Sequence, residues 1–124
     1  MTEKSAADVA AECRLVADAL DALPEGTPLP THVDVHTFES TPAIKWLLFD
    51  GDIDSQADTA RAVMQTIGGD WTAGIMVDLF AFRLRFHGVQ LDITVAIEVA
   101  CRRVMDKDGT VTWEYEPLLD EVSA

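Results

Sequence analysis

Two histidines and an aspartate alternate along one segment and are the first candidates for chemistry. His32, Asp34 and His36 share one face of a predicted strand, because side chains two residues apart in a strand point the same way. Imidazole and carboxylate groups bind zinc, but His32 and His36 lie about 13 Å apart along a strand. A metal site would therefore need a ligand from another strand, and an exposed polar strand face is the simpler interpretation. We expect no cofactor.

A run of aspartates in the middle of the chain is the second candidate. The spacing of the first three is that of a calcium loop, but such a loop needs glycine at its sixth position and glutamate at its twelfth. Ser55 and Arg61 occupy those positions, so stabilisation of a helix start is the favoured interpretation. The run also forms a predicted acidic interaction surface, which consists of Asp50, Asp52, Asp54 and Asp58.

Four arginines are the third candidate. Arg83 and Arg85 share a face of one predicted strand, and Arg102 with Arg103 follows on a later one. Side by side, the two pairs would form an anion-binding patch for a phosphate or carboxylate group. Asp92, which we expect opposite Arg83, would cancel part of that charge.

The motifs of common catalytic sites are missing. The sequence contains no GxSxG, HExxH, GxxxxGK[ST] or GxGxxG pattern, so it leans against an enzyme. Cys13 and Cys101 are expected to be buried, inert thiols in a reducing cytoplasm. The larger aromatic side chains are expected in the core and not on an RNA-binding surface. They are Trp46, Trp71, Trp113, Phe80, Phe82 and Phe86.

Charge narrows the class of partner. The chain holds 22 Asp and Glu against nine Lys and Arg, a net charge of −13. Such a field repels nucleic acid and anionic membranes, so we expect neither to bind directly and favour a basic protein partner. No apolar run reaches the roughly 20 residues of a membrane span, and the N-terminus lacks a signal-peptide pattern. A cytoplasmic location follows as an expectation.

Hydrophobic periodicity predicts two helices in a single domain over residues 1–124, with 1–4 and 120–124 frayed. A helix from about residue 6 to 23 begins with a capping box at Ser5 and Asp8. A second runs from about residue 55 to Ile67 and ends at Gly68. The first apolar stripe consists of Val9, Cys13, Val16, Leu20 and Leu23. The second consists of Ile53, Ala57, Ala60, Met64 and Ile67.

Five strands are expected around these helices. Residues 31–38 and 43–49 form one predicted hairpin. A turn at His87-Gly88 forms another, in which the numbers of facing residues sum to 175. Its second strand runs on beyond residue 100 and meets a last strand at 111–116, so that position 101 faces 115 and 103 faces 113.

The fold class is therefore predicted as α+β in the order α-β-β-α-β-β-β. Both apolar stripes are buried if the two helices pack on one face of a single antiparallel sheet. The opposite face is expected to carry Arg83, Arg85, Asp92, Thr94 and Glu98. It is either exposed to solvent or used for self-association as a homodimer.

Several segments in the second half of the chain resemble a known family. They are Ile67-Gly-Gly-Asp-Trp71, Phe82-Arg-Leu-Arg-Phe-His-Gly88, Val99-Ala-Cys-Arg-Arg-Val104 and Trp113-Glu-Tyr-Glu-Pro-Leu-Leu119. This pattern resembles that of a family of small, acidic proteins encoded by actinobacteriophages and related actinobacterial mobile elements. The resemblance covers roughly the last 60 residues well and implies no enzymatic activity.

Three functions remain open at this point. The preferred one is a non-enzymatic protein-interaction factor, a phage-encoded accessory or host-modulating protein in the cytoplasm of a bacterial host. The second is a ligand-binding or regulatory module that uses the arginine-rich sheet face. The third is an acidic mimic of nucleic acid, which requires the acids to crowd onto one face because their average density is about one net charge per 500 Å².

Overall fold

Ten elements follow one another along residues 3–117, the part of the chain that this computed structural model describes. They are α1 (Ala6–Ala22), β1 (His32–Asp34), β2 (Ala43–Leu47), α2 (Ile53–Ile67), β3 (Thr72–Met76), β4 (Leu79–Phe86), β5 (Val89–Ala96), α3 (Ile97–Ala100), β6 (Cys101–Met105) and β7 (Val111–Tyr115). The fold is α+β, as predicted.

The sheet arrangement differs from the prediction of a single antiparallel sheet. Five strands form a mixed sheet in the order β1-β2-β5-β4-β3, and β6 and β7 form a separate two-stranded sheet, the ribbon. Strand β2 lies parallel to β5, with Ala43 beside Gln90 and Leu47 beside Thr94. The parallel pairing arises because α2 and the β3–β4 hairpin carry the chain back between these two strands.

The predicted hairpin around His87-Gly88 is confirmed residue by residue. Its pairs run from Phe86 opposite Val89 to Phe80 opposite Val95, each with numbers that sum to 175. His87 and Gly88 both have positive φ, as a tight two-residue turn with right-handed strand twist requires.

The first hairpin is present but shorter than predicted. Strand β1 ends at Asp34, because the chain beyond it turns to pair with the N-terminal segment instead of β2. Glu3 forms a β-bridge with Phe38, and the Lys4 amide donates to the Thr37 carbonyl. Lys4 Nζ also donates to the backbone carbonyls of His36 and Ser40 and to the Glu12 carboxylate. Of the terminal residues expected to fray, 1–2 and 120–124 lie outside the described part.

The ribbon forms because the long second strand of the central hairpin is interrupted. The short helix α3 ends β5 at Ala96, so β6 leaves the main sheet and pairs with β7 alone. The predicted register of this pair is confirmed, with Cys101 opposite Tyr115 and Arg103 opposite Trp113. The Tyr115 ring stacks on Phe80, with centroids 4.9 Å apart, so the ribbon lies against the helix-bearing face of the main sheet.

The caps of both long helices are confirmed, whereas the buried face of α1 is not. Ser5 and Asp8 form the capping box, and α2 ends at Gly68 with φ +73°. The buried residues of α1 are Val16 and Ala19, and Cys13 is exposed, contrary to the prediction. The helix is rotated relative to the predicted apolar stripe, because Leu15 packs on the turn at Gly88. An added Cβ at Gly88 would lie 3.3 Å from a Leu15 methyl group.

A single core lies between the helices and one face of the main sheet. Trp46, Phe80 and Phe82 are buried in it, and the other three large aromatics pack partly buried against it. Side chains of α1, α2 and α3 join the same cluster. The opposite face, here called the open face, carries the alternate residues of each strand. Asp92 and Thr94 lie on it as predicted but are buried, whereas Glu98 belongs to α3.

Candidate functional site

The candidate metal ligands do not assemble into a site. His32 and Asp34 lie on β1, whereas His36 lies beyond its end with its ring 4.7 Å from that of Phe38. The Asp34 carboxylate forms an ion pair with Lys45 Nζ at 2.8 Å, and this contact lowers the pKa of the Asp34 carboxyl. Within residues 3–117, no three His, Cys, Asp or Glu side chains come together as ligands.

The four aspartates of the predicted acidic surface lie around the start of α2. Asp52 caps the helix and accepts from the amide and the hydroxyl of Ser55, both at 2.9 Å, which lowers its pKa. Asp58 pairs with Arg61 at 3.3 Å. Asp50 and Asp54 are exposed. The role of this surface in binding stays a prediction.

The structure places the two arginine pairs on different sheets. Arg83 and Arg85 lie on β4 and face the open side of the main sheet, whereas Arg102 and Arg103 belong to the ribbon on the other side. Arg102 contacts two carboxylates of the ribbon and its exit, at 2.9 Å and 3.4 Å. Its charge is therefore already balanced within the ribbon.

The centre of the open face is a row of alternating charges. Lys45, Asp92 and Arg83 are neighbours on β2, β5 and β4, and Arg83 Nε lies 3.5 Å from the Asp92 carboxylate. The Thr94 hydroxyl also contacts that carboxylate, at 3.4 Å. Asp92 is thus buried, with the Arg83 guanidinium as its charged partner.

Sequence reasoning missed a buried glutamine that joins two strand ends. The Gln56 side-chain amide donates to the Gly51 carbonyl at 2.6 Å, and its oxygen accepts from the Ala96 amide at 2.8 Å. It connects the C-terminal ends of β2 and β5, which lie at the same end of the sheet because the two strands are parallel. The only sequence signal is its position next to Ala57 on the buried stripe of α2.

A shallow hollow between α3 and the ribbon contains the buried cysteine. Burial and the neighbouring Glu116 raise the pKa of the Cys101 thiol, which keeps it protonated and weakly nucleophilic. The hollow measures about 660 Å³ and is wide open to solvent. Its walls are Glu98, Cys101, Arg103, Val111 and Trp113.

Strand β3, the edge strand that the sequence did not predict, presents exposed main-chain groups. All five of its residues are exposed, and among residues 3–117 only β4 pairs with it in the sheet. The direction of its amides follows from the ladder. On β5, the main-chain groups of Gln90 and Thr94 hydrogen-bond to β2, so the alternate residues of β5 hydrogen-bond to β4. The same alternation along β4 means that Gly74 of β3 hydrogen-bonds to β4. The amides and carbonyls of Ala73 and Ile75 therefore point outwards from the sheet.

A groove on the open face runs beside this edge. It measures about 130 Å³. Its floor consists of Gly74 and Ala81, which pair across β3 and β4 and have small side chains or none. Thr72, Met76 and Arg83 form its rim. At the end of β3 the turn carries Val77, an apolar residue that is 96% exposed.

The chain matches no protein-family model, no curated protein and no solved structure at a significant level. Within residues 3–117, no helix has the length and apolar character that spanning a membrane requires.

Proposed function

We propose that this protein is a non-enzymatic interaction factor that binds a protein partner through the free edge of β3. The exposure of all five residues of this edge strand is the observation that supports it. Natural sheets usually shield such an edge with charges, proline or a covering element. Here Ala73 and Ile75 direct their amides and carbonyls outwards, and Ile75 and Val77 are exposed apolar residues, which suits addition of a partner strand.

The engagement of the polar side chains supports a binding role over catalysis. Asp34, Asp52 and Asp92 each have a structural partner, namely a lysine, a helix N-terminus and an arginine. Groups held in this way contribute to stability and are not free to act as an acid or base on a substrate. The edge strand, by contrast, offers unpaired hydrogen-bonding groups and no titratable side chain of its own.

The resemblance to actinobacteriophage proteins suggests the biological setting of this binding. In our proposal the chain is an accessory or host-modulating factor in the cytoplasm of a bacterial host, and its partner is a host protein. The net charge of −13 favours a partner with a basic surface around the strand that it contributes.

The test compares capture of host proteins by the wild-type chain and by Ala73→Pro. Proline removes an amide hydrogen that points away from β4, a position at which edge strands tolerate it. We expect the variant to keep its fold, checked by circular dichroism, and to lose the captured partner.

Ala73→Val is the matched control, because it changes the same side chain and retains the amide; it should capture the partner like the wild type. Equal capture by Ala73→Pro would contradict the proposal. Thermal stabilisation by small anions that Arg85→Ala abolishes would instead favour the ligand-binding alternative on the open face.

A further inference from the structure

We infer, resting on the proposed function, that the edge of β3 selects an extended segment that presents an aromatic side chain opposite Gly74. The segment runs antiparallel to β3 and carries basic residues at its ends. Backbone pairing supplies part of the affinity in this mode of recognition, and pockets for alternate side chains supply the specificity.

The geometry of the edge determines which partner side chain enters the groove. Gly74 directs its own amide and carbonyl to β4, so the partner residue opposite it occupies a non-hydrogen-bonded position. Side chains at such positions approach most closely, with Cα atoms about 4.5 Å apart. The groove lies on the same face, and a large partner side chain would lean across Gly74 onto Ala81.

The size and rim of the groove favour an aromatic ring. An apolar cavity of about 150 Å³ accepts benzene, and this groove measures about 130 Å³. Cross-strand aromatic side chains are known to compensate for glycine in a sheet. The Met76 thioether and the Arg83 guanidinium lie 3.3 Å apart at the rim, and both kinds of group make favourable contacts with aromatic rings.

Charge and side-chain chemistry argue against a second copy as the occupant. Centred self-pairing of β3 would oppose Asp70 with Asp78 of the other copy at both ends, in addition to the repulsion between two chains of −13. The residues able to lie opposite Gly74 in a self-paired edge are Thr72, Gly74 and Met76, and none is aromatic.

The experiment uses three synthetic peptides with blocked termini and the full chain. The first is Lys-Thr-Thr-Val-Phe-Val-Thr-Thr-Lys, the second has Ala in place of Phe, and the third has Glu in place of both Lys. Affinities come from NMR titration, and amide hydrogen exchange reports which backbone groups become protected.

We expect the Phe peptide to bind about tenfold more tightly than the Ala peptide, the effect of half-burying one ring. The Glu-ended peptide should bind more weakly than its Lys-ended twin, by about two- to fivefold at low salt. Exchange should slow at the outward amides of Ala73 and Ile75 and stay unchanged at Gly74, which is already bonded to β4.

Gly74→Val provides the decisive variant. An added Cβ at this position meets no heavy atom within 4 Å, so the fold accommodates it while the groove is filled. The tenfold preference for Phe should fall to less than about threefold in this variant.

The inference is overturned if the Phe and Ala peptides bind the wild type equally, or if the preference survives in Gly74→Val. Sedimentation that shows dimers with Ala73 and Ile75 protected in the absence of peptide would also overturn it. If Ala73→Pro loses the host partner although no aromatic preference exists, the proposed function stands and the aromatic specificity alone fails.

Discussion

A single residue at the tip of the β3–β4 hairpin combines strain with exposure. Val77 has φ +51°, a conformation that a β-branched side chain disfavours. It is also 96% exposed, so burial of its side chain compensates for none of that strain within the described part of the chain. Strained residues concentrate where function requires them, and under the proposed function Val77 lies where the partner strand would contact it.

Replacing Val77 with glycine should stabilise the isolated protein. Glycine adopts positive φ without the Cβ clash, so we expect Val77→Gly to raise the free energy of unfolding by about 1 kcal/mol. Urea unfolding followed by circular dichroism measures the change. Val77→Ala, which keeps a Cβ at the strained position, serves as the control and should change stability much less. A loss of stability in Val77→Gly would show that Val77 is not strained.

At the scale of elements, the start of α2 depends on its N-cap residue, Asp52. Asp52 accepts two hydrogen bonds from Ser55, and these lower the pKa of its carboxyl. A carboxyl whose pKa is depressed in the folded state stabilises the fold above its unfolded pKa. That contribution disappears as the pH falls through the folded pKa, which lies below the ordinary pKa of an aspartate side chain.

Asp52→Ala should therefore lower the melting temperature at pH 7, and the difference from the wild type should shrink as the pH falls below 4. Thermal unfolding from pH 7 to pH 3 measures both. Asp54→Ala, at an exposed neighbour that does not accept the Ser55 amide, is the matched control. A difference that stays constant down to pH 3 would contradict the role assigned to the Asp52 charge.

The connection between β2 and β5 depends on Gln56. Gln56→Ala leaves the Ala96 amide and the Gly51 carbonyl without this partner in a partly buried place, so we expect a loss of about 2–4 kcal/mol in the free energy of unfolding. Gln65→Ala, at an exposed position of the same helix, should change it by less than about 0.5 kcal/mol. Equal effects of the two substitutions in urea unfolding would refute the bridging role.

These elements also show what the sequence can predict. The register of the β4–β5 hairpin follows from local information, because the tight turn and the alternation of apolar residues fix every pair. The register of the ribbon follows from its turn in the same way. The parallel contact of β2 with β5 does not, since neither strand's sequence indicates a partner 47 residues away.

The candidate site was harder to predict than the fold. Strand β3 escapes prediction because Gly74 interrupts its pattern and neither of its faces is buried, so the alternation that marks a strand is absent. The groove depends on the pairing of Gly74 with Ala81 across two strands, which only the register reveals. The roles of the acidic surface and of the arginines stay predictions.

At the scale of the whole molecule, the dominant feature is the net charge of −13. Ion pairs such as Asp34–Lys45 and Arg83–Asp92 balance the open face locally. The excess acids therefore lie elsewhere, with a net of −9 in residues 1–60 alone. Repulsion among them opposes the folded state, and dissolved ions screen it.

The melting temperature should therefore rise by several degrees between 10 mM and 500 mM sodium chloride. Calorimetry or circular dichroism measures the shift, and sucrose at matched osmolarity controls for general exclusion of solutes from the surface. A melting temperature that is constant or falls with added chloride would show that the ion pairs outweigh the repulsion.

The parallel contact between β2 and β5 has a consequence for protein synthesis. The residues of β2 leave the ribosome long before those of β5, and until then Ile44 and Trp46 cannot be enclosed by their final neighbours. Contacts this distant along a chain slow folding. The nascent first half therefore emerges with these large apolar side chains exposed to solvent. Mutual repulsion among its many carboxylates opposes aggregation with neighbouring nascent chains during that interval.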